Sequence, residues 1–84
     1  MINIGSDYTI ARENILGIFD HDLVRAKANN EMLKEIEEEG MYIRTCPDDK
    51  LRSFVLVKEE GLKLYSSSVR SKTLNDRFRE NWGL

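Results

Sequence analysis

Apolar residues along this chain fall into short alternating or continuous runs, separated by polar turns, and helical periodicity is confined to two places. The run INI at 2–4 predicts a short strand, stopped by Gly5, Ser6 and Asp7. YTIAR at 8–12 and ILGIF at 15–19 predict two more strands. The latter is apolar on both faces: strict alternation sends Ile15 and Phe19 one way and Leu16 and Ile18 the other. Gly17 in its middle predicts a close backbone approach or a bulge. Residues 42–46 predict a short strand closed by Pro47, which has no N–H to give to a central ladder. The strongest strand signal covers 52–58, with Phe54 and Leu56 facing one way and Val55 and Val57 the other. Glu59, Glu60 and Gly61 then form a hairpin turn, Gly61 supplying positive φ, and 62–66 returns antiparallel.

The two helical stretches differ in character. Over 28–39, Met32, Leu33 and Ile36 give an apolar stripe and Gly40 a C-terminal stop. Residues 23–29 read equally as helix or loop. Glu35, Glu37, Glu38 and Glu39 crowd the C-terminal turn, where the macrodipole disfavours anions, so packing holds this helix and its acidic face stays in solvent. A second helix over 72–80 has Ser71 as N-cap candidate, Leu74 and Phe78 as an i, i+4 apolar pair, and Trp82 continuing the stripe. The predicted fold is α+β: a small, mostly antiparallel sheet with one central and one C-terminal helix. Eighty-four residues allow one domain, covering 1–84. Two short helices cover little of strands that are apolar on both faces, and such surfaces become subunit interfaces, so a homo-oligomer is expected.

Charge changes the picture more than composition does. At 40% hydrophobic and 33% charged the chain is globular. Its net charge of −2 hides an asymmetry: residues 50–84 carry 8 basic and 4 acidic side chains, residues 1–49 carry 5 and 11. Phosphate responds to local potential, so a basic face attracts a polyanion even on a net-acidic protein. Lys50 and Arg52 flank the start of the hairpin, and Arg70 and Lys72 bracket the start of the last helix. Brought together, these four side chains and the free N–H groups of that helix make an anion site. Arg77 and Arg79 read as ordinary complements to the helix C-terminus. Arg12 reads as a rim contact or an inter-subunit ion pair.

An enzyme is not expected. Cys46 and His21 are the lone Cys and His, and a catalytic pair needs them adjacent with a third orienting group; a small buried residue is the ordinary reading of Cys46. Asp20, His21 and Asp22 are consecutive and splay apart, which fits a polar loop better than a metal site. There is no GxGxxG, Walker A or HExxH pattern, and no cofactor or small-molecule substrate is expected. The lone cysteine and the lack of an apolar run of membrane-spanning length give a cytoplasmic expectation.

The ordered set INIG at 2–5, ILGIFD at 15–20, the acidic helix ending in Gly40, RSFVLV at 52–57 and SSSVRSKTLNDRF at 66–78 resembles the RemA/RemB family of bacterial regulators of extracellular-matrix (biofilm) genes. The likeness spans nearly the whole chain and is closer to the RemB type, through GIFD at 17–20, RSFV at 52–55 and TLNDR at 73–77. It implies a ring-shaped homo-oligomer, with a subunit arrangement similar to LytTR-type domains, that binds double-stranded promoter DNA around a basic rim. An arginine pair tied to DNA binding in RemA-type members maps onto Asp49 and Lys50, and a further family arginine maps onto Asn14, with Arg12 two residues earlier. The expected DNA contacts are therefore Lys50 and Arg52, with Arg12, Arg70 and Lys72 weaker. The rival expectation is a protein-interaction module of the same fold, favoured by the carboxylates of Asp48 and Asp49 beside Lys50.

Overall fold

A computed structural model describes residues 1–22 and 41–82, with positions 34, 38 and 39 between them. The strands are β1 (Ile2–Gly5), β2 (Tyr8–Ile10), β3 (Ile15–Asp20), β4 (Tyr42–Ile43), β5 (Ser53–Lys58) and β6 (Leu62–Ser67), followed by helix α1 (Ser71–Trp82). Single 3-10 turns at Arg12–Asn14 and Asp48–Lys50 lead into β3 and towards β5. The helix expected over 28–39 falls almost wholly outside the described residues, as does the side chain of Trp82.

The strands form two sheets: an antiparallel β1–β2 ribbon and a four-stranded sheet in the order β3-β5-β6-β4. The α+β class is as expected, but the larger sheet is mixed, because β4 runs parallel to β6. The 42–46 strand is cut to Tyr42–Ile43. Beyond it Thr45 bonds to Ser66 through its side chain and that of its partner: Thr45 N donates to Ser66 Oγ at 3.0 Å, and Thr45 Oγ1 donates to the Ser66 carbonyl at 2.7 Å. The β5–β6 hairpin forms as read, with Lys58 opposite Leu62 and positive φ at both Glu60 and Gly61.

Alternation along β5 gives the two faces of the larger sheet. Val55 and Val57 join Ile2, Ile4, Ile10, Tyr65 and Leu74 in the main core, beneath the β1–β2 ribbon and α1. Phe54 faces the other way and packs with Leu51 and Leu64, against which Met41, Tyr42, Cys46 and Leu56 close. The strand at 15–20 departs from strict alternation. Its pairing with β5 shifts between Ile15, opposite Val57, and Gly17, opposite Leu56. One residue, Leu16, is therefore bulged out and is 56% exposed. The bulge resets the period, so Ile15 and Ile18 both pack on the main core, whereas alternation had put Ile18 opposite to Ile15. Gly17 leaves room for the ring of Phe19, which would have to shift for a larger residue because an added Cβ would lie 2.8 Å from it.

Candidate nucleic-acid interface

Strand register brings three chain segments to one end of the larger sheet. Asp20 at the end of β3 stands opposite Ser53 at the start of β5, and Ser53 stands opposite Ser67 at the end of β6. The end of β3, the entry to β5 and the exit from β6 into α1 must then meet. Arg52 is fixed between its neighbours by its own backbone: its N–H donates to the Ser67 carbonyl at 2.8 Å, and its carbonyl accepts from His21 N at 3.1 Å.

Buried serines set the turn into the helix. Ser53 Oγ donates to the Val69 carbonyl at 2.6 Å, and Val69 N donates to Ser67 Oγ at 3.0 Å. Ser67 Oγ in turn donates to the Ile4 carbonyl on the β1–β2 ribbon. Ser53, Ser66 and Ser67 are fully or almost fully buried, and each has its hydroxyl engaged, as a buried polar group requires. The Ser53 and Ser67 hydroxyls join β5, β6 and β1 to the 67–70 turn that leads into α1, while the Ser66 hydroxyl accepts from Thr45 N. Ser71 is not the cap: it already lies in the first turn, whose opening bond runs from Leu74 N to the Arg70 carbonyl at 3.0 Å. Its hydroxyl instead donates to Asp20 Oδ2 at 3.3 Å, tying the helix start to the end of β3. Asp20 Oδ1 accepts from Asp22 N at 2.9 Å, an Asx turn that leads the chain out of the strand.

At this junction lies an open cleft of about 530 Å³. Arg52 lines it from the β5 entry, Arg70 and Lys72 from the start of α1, and Asp20, His21 and Asp22 from the end of β3. Three of the expected contacts, Arg52, Arg70 and Lys72, therefore share one site, and all three are exposed. The first turn of α1 contains no acidic residue. The positive end of the macrodipole thus adds to Arg70 and Lys72 rather than being cancelled, with the Asp20 carboxylate set against it. Such an arrangement attracts anions. Asp22 is 95% exposed, and its Oδ1 is 3.5 Å from His21 Nδ1. His21 stacks on Phe54 at 6.3 Å, while its Nε2 is buried with no hydrogen-bond partner.

The other two expected contacts lie elsewhere. Lys50 is exposed at the end of the 48–50 turn and does not line the cleft. In the same turn Asp48 is 3.6 Å from the Arg44 guanidinium. Arg12 is applied to α1: its Nε donates to the Phe78 carbonyl at 3.2 Å, and its guanidinium lies 4.1 Å from the Phe78 ring centre. Arg77 likewise serves the fold, donating to the Asn3 carbonyl at 2.8 Å instead of merely answering the helix dipole. Sequence reasoning passed over Asp20 as polar loop and Ser53 and Ser67 altogether. Polar residues at strand positions where alternation demands apolar ones were the available signal for both serines.

A family model described as RemA-like, extracellular matrix regulatory protein A-like, matches residues 1–78. The chain belongs to the RemA-like family. The match takes in every described strand and most of α1, so the residues lining the cleft of this RemA-like chain all lie within the matched range. The comparison with curated proteins gave no match. Among the described residues no helix is long and apolar enough to cross a membrane, and no group of three or more His, Cys, Asp or Glu side chains is placed to hold a metal ion.

Proposed function

We propose that this RemA-like protein is a non-enzymatic, homo-oligomeric DNA-binding regulator of extracellular-matrix genes, closest to the RemB type. The observation that carries the reading is the convergence of Arg52, Arg70 and Lys72 on one open cleft at the positive end of α1. Cations so placed neutralise backbone phosphates without reading base sequence. Specificity then comes from deformability, since curving a duplex around a rim favours sequences that bend cheaply. Lys50, exposed in the adjacent turn, adds to the rim, and Arg12 contributes chiefly by holding α1 in place.

Assembly is supported by β3, one of the two outer strands of its sheet, which presents Leu16 at 56% and Phe19 at 38% exposure. An edge strand with large apolar side chains in water invites a partner. A closed ring, with a subunit arrangement similar to LytTR-type domains, occupies that edge and lines up the clefts of successive subunits. The second reading, an assembly module acting through a protein partner, draws on the two carboxylates of Asp20 and Asp22 in the same cleft and on Asp49 beside Lys50.

Anisotropy of a long AT-rich promoter duplex titrated across a salt series separates the two. Tight binding that falls steeply with log salt is the expected result. Absence of binding at low salt overturns the DNA reading in favour of the protein partner. A light-scattering mass equal to one 9.8 kDa chain overturns the oligomer.

A further inference from the structure

The cleft is larger and of more mixed sign than a phosphate contact needs. A backbone phosphate is met by cations at a surface, whereas about 530 Å³ lies within the range of small-ligand sites. A duplex rim presents negative charge to the protein, so for DNA alone the carboxylates of Asp20 and Asp22 are a penalty. They are not placed alike. Asp20 already accepts bonds from Asp22 N and the Ser71 hydroxyl on its two oxygens. Asp22 is 95% exposed, with His21 Nδ1 at 3.5 Å as its neighbour, and its acceptor capacity faces solvent at the cleft. The site thus offers a cationic wall from Arg52, Arg70 and Lys72 and, from the end of β3 and the residues just after it, carboxylate acceptors.

We infer that the cleft binds a small phosphate monoester carrying hydroxyl groups, of the sugar-phosphate or mononucleotide class. The phosphate lies on Arg52, Arg70 and Lys72, and a hydroxyl donates to Asp22. A hydroxyl–carboxylate bond is charge-assisted, and a dianionic phosphate suits Arg and Lys together with the helix end. Both signs of charge are then used, which neither DNA nor a bare anion achieves. The site rests on the same cations as the proposed DNA contact, so such a ligand competes with the duplex and acts as a release signal.

The test is calorimetric titration of the full chain with ribose 5-phosphate, inorganic phosphate and ribose, with promoter DNA titrated in parallel. Ribose 5-phosphate is expected to bind about tenfold more tightly than inorganic phosphate, the value of one hydrogen bond to a charged group. Asp22→Ala, at an exposed position that leaves the fold intact, brings the two within about twofold of each other, whereas Arg70→Ala/Lys72→Ala weakens both. Equal affinity for the two anions in the wild type, no binding of either, or full preference retained in Asp22→Ala overturns the inference. The DNA arm keeps the two readings apart. DNA binding without ribose 5-phosphate binding, or without displacement by it, overturns the ligand alone. Ribose 5-phosphate binding without DNA binding upholds the site and overturns the DNA-binding reading.

Discussion

Removing the two cations at the start of α1 separates an electrostatic role from a structural one. Arg70 and Lys72 are exposed and line the cleft, and the helix they open carries no acidic residue in its first turn. Positive charge at a helix N-terminus opposes the macrodipole, so Arg70→Ala/Lys72→Ala leaves folding unchanged or raises stability by a few tenths of a kcal/mol (~0.3–1 at most). Its effect on DNA is the opposite. Each phosphate neutralised contributes about 0.9 to the slope of log affinity against log salt, so losing two flattens that slope by about 1.8 per engaged subunit. Over a fourfold change in salt, from about 200 mM to 50 mM, the wild-type advantage grows about twelvefold for one subunit and about 150-fold for two. Anisotropy titrations at four or five salt concentrations measure the slope, and a thermal melt with light scattering confirms that fold and mass are unaltered. An unchanged slope, even with weaker binding, refutes phosphate contact by these residues. A changed mass moves them to the subunit interface.

Other perturbations test the supports of the cleft. Ser67→Ala leaves the Ile4 carbonyl and Val69 N–H without their buried partner, and a denaturant titration should show a loss of about 1–3 kcal/mol together with weaker DNA binding as α1 loses its anchor. Arg12→Ala removes a guanidinium from the Phe78 ring and carbonyl, costing about 1–2 kcal/mol in the same assay while leaving the salt slope of the assembled protein as in the wild type. Burial, with the Glu59 carboxylate and Tyr8 nearby, pushes the Tyr65 hydroxyl above the usual tyrosine range. Its folded pKa being the higher one, the neutral form is favoured in the folded protein. That stability is fully present below about pH 10 and is lost as pH rises through the folded value, an alkaline decline that Tyr65→Phe should flatten.

How much of this could be read from the chain depended on whether a feature is local. The β5–β6 hairpin was legible because six-residue strands of strong apolar pattern flank a Gly-bearing turn, and pairing of neighbours in sequence needs no further information. An irregularity at Gly17, a close approach or a bulge, was legible, but the facing of Ile18 was not, since one inserted residue reverses every later position. The end of the 42–46 strand was hidden in side-chain bonds between Thr45 and Ser66, which no period reports. Ser71 looked like a cap because serine suits that position, yet the Asp20 carboxylate, 51 residues distant, takes its hydroxyl. The basic cluster was readable as four separate residues; which of them meet was set by register. That register joins Arg52 to Arg70 and Lys72 and leaves Lys50 outside.

The balance of charge in the cleft links the two halves of the proposed function. Three cations stand against two carboxylates there, a surplus of one positive charge per subunit aided by the helix dipole. Under the proposed function, a surplus of that size should give a single subunit only weak, salt-sensitive attachment to a duplex. Useful affinity must therefore come from several clefts acting on one molecule of DNA, where each later contact forms at the high effective concentration set by the first. In the proposed assembly, the exposed edge at Leu16 and Phe19 is where such repetition would be built. A charge introduced there, Leu16→Asp, should then do more than dissociate the proposed assembly: it should abolish DNA binding although every cationic side chain remains. A monomer that still bound promoter DNA tightly would show that one cleft suffices, and the argument from multiplicity would fail.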